Sequence, residues 1–143
     1  YYLAVKAVLP DMLERKSGNI LNLTSKSGEM VGRAYNGGSS LAYGVSKAAI
    51  DKFTLGLAAE LAEHNIAVNA LKPQTAVATE GTVTFFQGKI PSDWVGPENM
   101  AQAALYLVQQ TPASLTGWIG FDEHLCEETQ AWKPPTSTPK HTS

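Results

Sequence analysis

Tyr43 and Lys47 stand four residues apart at the head of a long helical pattern, and Ser25 lies upstream at the end of a strand pattern. A phenol is a weak acid near neutral pH. An ammonium one helical turn away, at about 6 Å of rise, favours the ionised form of a phenol and makes proton exchange with a substrate oxygen practicable. That combination suggests carbonyl reduction. The spacing by itself is weak, because Tyr2 and Lys6 repeat it, so the surrounding elements must choose between the two pairs.

Those elements can be read from pattern and punctuation. Tyr2 to Lys16 reads as a helix with Leu3, Ala7, Met12 and Leu13 among its apolar positions, a basic end at Arg15 and Lys16, and Pro10 removing one backbone donor. Gly18 is expected to close that helix, and Ile20 to Thr24 to form a short, mostly buried strand. A Gly/Ser-rich loop follows, with Ser39 or Ser40 as the cap of a helix to about Glu63 and a second strand over Ile66 to Leu71, ahead of Pro73. Strand, crossover helix and strand make a βαβ unit, which implies a parallel sheet and an α/β class. Thr79 to Trp94 is irregular by pattern and suits a cover over a pocket. Pro97 starts a further helix through Val108, and Gly117 to Phe121 is a candidate last strand at the sheet edge.

On a helical wheel Tyr43, Lys47, Ile50, Thr54, Leu57 and Leu61 share one stripe, so Tyr43 and Lys47 are expected to face the sheet. The other side carries Val45, Ala48, Leu55 and Ala59, small and apolar enough to pack against a second helix. A subunit contact through the helices at 2–16 and 40–63 follows as an expectation, giving a homodimer or homotetramer. In open parallel sheets ligands bind beyond the carboxyl ends of the strands. Ser25 follows one strand, Pro73, Gln74 and Thr75 follow the next, and Tyr43 and Lys47 open the connecting helix, so three segments converge at one edge. Tyr2 and Lys6 lack this company and are assigned to packing.

Bulk properties narrow the partners. A length of 143 residues with 43% hydrophobic content suits one domain or a large part of one. A net charge of −2, with scattered Lys and Arg, gives no reason to expect nucleic acid or an anionic membrane. The single Cys126 excludes an internal disulfide, and a reducing cytoplasm is the default location. No apolar run is long enough to span a bilayer. The final stretch, 129–143, is rich in Pro, Thr and Ser and reads as a disordered tail after a domain over 1–128.

Gly18-Asn19-Ile20-Leu21-Asn22-Leu23-Thr24-Ser25 and Tyr43-Gly44-Val45-Ser46-Lys47-Ala48-Ala49, in that order, resemble the strand to the active serine and the Tyr-x-x-x-Lys helix of the short-chain dehydrogenases/reductases. Leu9-Pro10-Asp11-Met12 and Val68-Asn69-Ala70-Leu71-Lys72-Pro73 fit as well, and the resemblance spans about residues 1–125. It implies a Rossmann-like, doubly wound parallel sheet and hydride transfer between NAD or NADP and a small-molecule carbonyl or secondary alcohol. It also implies roles. Tyr43 would be the proton donor or acceptor, Lys47 would support its ionised form and hydrogen-bond the nicotinamide ribose, and Ser25 would hold and polarise the substrate oxygen. Cofactor contacts would come from Tyr43, Lys47, Pro73, the Val77 backbone and the Thr79 hydroxyl, and no metal is implied.

The departures from the family pattern are specific. Eighteen positions separate Ser25 from Tyr43, longer than is usual there, with Arg33 to Gly38 as the insertion. Gln74 stands where the family commonly has Gly after Pro, and Asp122-Glu123-His124 replaces an Asp-Gly-Gly ending. The Gly-rich phosphate turn, the residue choosing between NAD and NADP, and the active-site Asn are expected ahead of Tyr1, so the chain reads as the C-terminal portion, with the N-terminal cofactor-binding half missing and the portion alone inactive. The competing reading is a truncated chain that only oligomerises or binds, or a relative whose site is unused; a metal cluster of Asp122, His124, Cys126 and Glu127 is disfavoured because no second His or Cys set has zinc-site spacing. A Ser25–Lys47 nucleophile pair would leave Tyr43 unexplained.

Overall fold

The strand β2 (Ile66–Lys72) is buried along its whole length, because it lies between two other strands and is covered on both faces. The computed structural model of the chain describes residues 1–29 and 41–129. Within them β1 (Gly18–Leu23), β2 and β3 (Ile119–Phe121) form a parallel sheet in the order β1-β2-β3. Gly18 pairs with Ile66 and Leu23 with Leu71, and Ala70 to Lys72 pair with Ile119 to Phe121. Helices α1 (Tyr2–Arg15) and α2 (Leu41–Leu61) cover one face, while α4 (Glu98–Val108) and α5 (Asp122–Thr129) cover the other. Helices on both faces of a parallel sheet make it doubly wound, as expected.

Side-chain alternation along the strands sorts the two cores. Ile20, Ile66 and Val68 point to α1 and α2 and meet Val5, Leu57, Ala58 and Leu61. Leu21 and Leu71 point the other way, to Ala103, Leu107, Leu125 and Cys126. Each fully buried Ile or Leu contributes about 1.5–3 kcal/mol relative to an exposed one. Several of the polar residues inside are matched, although Asn19 Oδ1, Asp51 Oδ1 and Gln74 Oε1 are buried without a partner among the described residues. Asn22 Nδ2 donates to Thr54 Oγ1 at 2.9 Å, Thr54 donates on to the Ile50 carbonyl, and Asn69 bridges Leu115 O and Trp118 N.

The elements differ from the sequence reading in several places. Helix α1 ends at Lys16, which takes the left-handed position at φ 50° without being glycine; Gly18 instead opens β1, where a Cβ would lie 2.7 Å from the Met12 sulfur. Glycine there leaves room for the Met12 side chain of α1. Residues 80–85 form a short helix, α3 (Glu80–Phe85), in the stretch expected to be irregular. Helix α5 (Asp122–Thr129) occupies a stretch where the sequence reading placed no element. The Arg33 to Gly38 insertion, the caps at Ser39 and Ser40, and the tail from 130 lie outside the described residues. No helix among the described residues is long and apolar enough to cross a membrane.

Candidate active site

Ser25 sits two residues past β1, with extended backbone at φ −156° and ψ 148°, at the start of a single 3-10 turn over Lys26–Gly28. Its hydroxyl oxygen accepts from Ser27 N at 3.2 Å, which leaves the hydroxyl proton to donate elsewhere. This turn lies directly on the first turns of α2. A Cβ on Gly28 would be 2.7 Å from Ala48 N and 2.8 Å from Lys47 C, and one on Gly44 would be 2.8 Å from Ser27 O. The two glycines therefore allow backbone to touch backbone where the Ser25 turn meets the Tyr43–Lys47 turn.

Lys47 Nζ donates to the Leu23 carbonyl, the last of β1, at 3.1 Å. The same ammonium lies 5.6 Å from the centroid of the Tyr43 ring. Tyr43 is 44% exposed, so the expectation that both residues turn inward holds only for half-buried Lys47. The reason is longitudinal. Burial in α2 begins at Ile50 and includes Thr54, Leu57, Ala58 and Leu61, so the earliest turn carries the same stripe without strand beneath it.

The third segment starts at Pro73, directly after β2. Gln74 N donates to Asp122 Oδ1 at 2.8 Å and Thr75 Oγ1 donates to Glu123 Oε1 at 3.0 Å, so the head of α5 pins this segment. Val77 forms a parallel bridge with Val95 through Ala78 N to Val95 O and Val95 N to Ala76 O. The Val77 N–H itself makes no hydrogen bond among the described residues. Thr79 is the N-cap of α3: its hydroxyl accepts from Thr82 N at 3.3 Å, and the Thr82 hydroxyl accepts from Thr79 N at 2.7 Å. A cap accounts for the Thr79 hydroxyl without any ligand. The hydrogen bonds of Val77 and Thr79 run within their own segment and not to Ser25, Tyr43 or Lys47.

Two residues at this edge were not singled out from sequence. Tyr1 donates its hydroxyl to the Leu23 carbonyl at 2.6 Å, sharing that acceptor with Lys47, whose ammonium lies 5.8 Å from the Tyr1 ring centroid. Lys72, at the end of β2, is paired with Glu29 and Asp51. No short-range pattern marks either, since both contacts are made across the fold. Tyr2 is 65% exposed and makes a tilted ring contact with Phe53 at 6.3 Å, so its assignment to packing holds only at that edge, and Lys6 is exposed.

Two of the residues weighed for a metal, Asp122 and Cys126, have other partners. Asp122 takes the Gln74 N–H, and Cys126 donates to the Asn99 carbonyl at 3.7 Å. Burial, and then the nearby Asp122 carboxylate, push the Cys126 thiol up, which favours the protonated form over a ligating thiolate. Among the described residues there is no group of three or more His, Cys, Asp or Glu able to hold a metal.

A βαβ unit with Ser, Tyr and Lys gathered at its carboxyl edge defines a class, and comparison with known proteins agrees with it. The profile of the short chain dehydrogenase family matches residues 1–89. The chain belongs to that family. It is 34% identical over 126 residues to a 7alpha-hydroxysteroid dehydrogenase of Clostridium sardiniense, covering 82% of this chain and 46% of the relative. A 3-oxoacyl-[acyl-carrier protein] reductase of Brucella melitensis, solved with bound NAD, superposes with a TM-score of 0.66 at 33% identity over 84% of this chain and 45% of that one. A structure from Beutenbergia cavernae named as a putative NAD(P) dependent gluconate 5-dehydrogenase, with NADP bound at low occupancy, gives a TM-score of 0.65 at 27% identity over 85% of this chain and 50% of that one. The chain thus spans about half the length of the relatives it matches.

Proposed function

We propose that this chain carries the catalytic edge of an oxidoreductase that transfers a hydride between a nicotinamide cofactor and a carbonyl or secondary alcohol. The observation that carries the reading is the position of Lys47. Its ammonium bonds the last carbonyl of β1, two residues before Ser25, and at the same time flanks the Tyr43 ring. In the reductive direction the Tyr43 hydroxyl gives its proton to the substrate oxygen as charge develops there, and in the oxidative direction the phenolate takes it back. The Ser25 hydroxyl proton, which its own turn does not use, donates to the same oxygen and stabilises the developing alkoxide. Lys47 adds a fixed positive charge beside both.

The residues present fit the nicotinamide end of NAD or NADP. When bound, that group supplies or accepts the hydride. Lys47 would hold the ribose, and the Val77 N–H, which makes no hydrogen bond among the described residues, is a donor of the kind a carboxamide oxygen needs. Pro73 fixes the start of this segment, and the Thr79 hydroxyl at the head of α3 is the candidate contact for a phosphate. Relatives and structural neighbours named for steroid, acyl-carrier and gluconate chemistry support a small-molecule substrate.

The decisive variant is Tyr43→Phe in the full-length protein, which keeps the ring and removes the proton. Turnover is expected to fall by about 10²-fold or more, with a smaller change in substrate binding. Near-normal turnover by a well-folded Tyr43→Phe protein would reject the assignment.

The exposed apolar positions Leu3 and Val8 on α1 and Val45 and Leu55 on α2 support assembly of copies through these helices. Ala59→Glu, at an exposed position of the same helix, is expected to shift the light-scattering mass toward the monomer. A monomeric parent at micromolar concentration would remove this proposal.

A further inference from the structure

Lys72 ends β2 and is 5% exposed. Its ammonium lies 3.1 Å from Asp51 Oδ2 and 3.3 Å from Glu29 Oε1, and stands over the Phe121 ring at 5.5 Å from the centroid. These partners come from α2, from the turn that Ser25 opens and from the end of β3. Asp51 is one helical turn after Lys47 on α2. Glu29 closes the turn that Ser25 opens. Phe121 ends β3 immediately before Asp122, whose carboxylate holds Gln74 N.

An ammonium in such a place is costly to desolvate unless it is paired, and an apolar residue would fill the end of the strand without that cost. What the charge adds is geometry. The other oxygen of Asp51, Oδ1, is buried with no partner among the described residues, so that carboxylate is held in place by Lys72. Removing the ammonium leaves two carboxylates, Asp51 and Glu29, converging on an unfilled site. They would repel one another and move toward solvent, taking with them the helix turn after Lys47 and the turn after Ser25.

We propose that Lys72 is a positioning residue that sets the relative placement of Ser25, Tyr43 and Lys47 by tying α2 and the Ser25 turn to the end of β2. This rests on the reading of those three residues given above. A shift of about 1 Å in reacting groups costs on the order of 10² in rate.

The experiment compares the full-length parent with Lys72→Met, Asp51→Asn, the double variant and Lys72→Arg, by steady-state kinetics and native-state amide hydrogen exchange. Lys72→Met is expected to lower kcat about 10²-fold with KM changed much less. Asp51→Asn should reproduce most of the loss and the double variant add little, as for residues acting through one contact. Lys72→Arg should recover part of kcat. Exchange should rise in residues 25–29 and 42–51 and stay at the parental level in α4. If Lys72→Met does not fold, Asp51→Asn carries the same test. A folded variant with a lower Tm but parental kcat and parental exchange in those two segments would overturn the proposal, as would a uniform rise in exchange across the fold. Should the parent turn over no carbonyl or alcohol with NADH or NADPH, the oxidoreductase reading fails, and exchange in the two segments alone decides the role of Lys72.

Discussion

The unit β1-α2-β2 and the segment from Ala76 to Pro97 both border the candidate site, yet they are held by different means. In the first, six consecutive residue pairs join β1 to β2, and α2 buries Ile50, Thr54, Leu57, Ala58 and Leu61 against them. In the second, one bridge at Val77 and Val95 closes the neck, and α3 has no buried residue. Its apolar content is a chain of edge-to-face rings, Phe85 to Phe86 at 5.0 Å and Phe86 to Trp94 at 5.4 Å, with Phe85 77% exposed. Groups that must hold a geometry belong on the first kind of structure, and groups that must adapt to a ligand belong on the second. The candidate proton donor and its lysine lie on α2, while the expected pocket wall lies on the loosely held segment.

The sharpest test of the rigid half is the place where its backbone has no room. Gly28 meets Ala48 N at 2.7 Å and Lys47 C at 2.8 Å, and both are main-chain atoms of a helix that cannot turn aside as a flexible side chain would. Gly28→Ala is therefore expected to push the Ser25 turn off α2. Overpacking of this kind costs about 2–3 kcal/mol, which for a domain of this size lowers Tm by roughly 5–10 °C. Thermal unfolding measures it. A Gly28→Ala protein that melted with the parent would show the contact to be slack and would put the two regions on an equal footing.

What could be read from the sequence follows the same division. The two strands and α2 were legible because apolar periodicity and flanking Gly and Pro are local signals that the tertiary fold reinforces. Ser25, Tyr43 and Lys47 could be placed at one edge from topology alone. The exposure of Tyr43 was not, since a helical wheel records angle and not whether a strand lies beneath that turn. The helix α3 escaped because its cap pairs Thr79 with Thr82, not with the Glu or Gln of the usual signature, so the stretch lacked a start signal. Lys16 at φ 50° escaped because nothing local favours lysine there; the turn is closed by Lys16 N and Ser17 N donating back to Leu13 O and Met12 O, and Asn65 Nδ2 adds a bond to Lys16 O from across the fold. The contacts of Lys72 with Glu29, and of Gln74 with Asp122, join residues more than forty positions apart. No window of sequence contains them.

The smallest expected effect probes the looser half. Thr79 caps α3 reciprocally with Thr82, and that cap is the main device organising a helix with no buried face. Thr79→Ala removes one side of the cap and is expected to destabilise α3 by about 1 kcal/mol, which corresponds to roughly fivefold faster amide exchange at Val83 to Phe86. Because the segment is anchored to the body chiefly at its neck, the loss should stay local: exchange in β2 and the global Tm should match the parent, and Thr79→Ser should restore α3. A matching fall in global Tm would mean that residues 76–97 unfold with the sheet as one cooperative unit, and the contrast between a rigid platform and an adaptable cover would no longer hold.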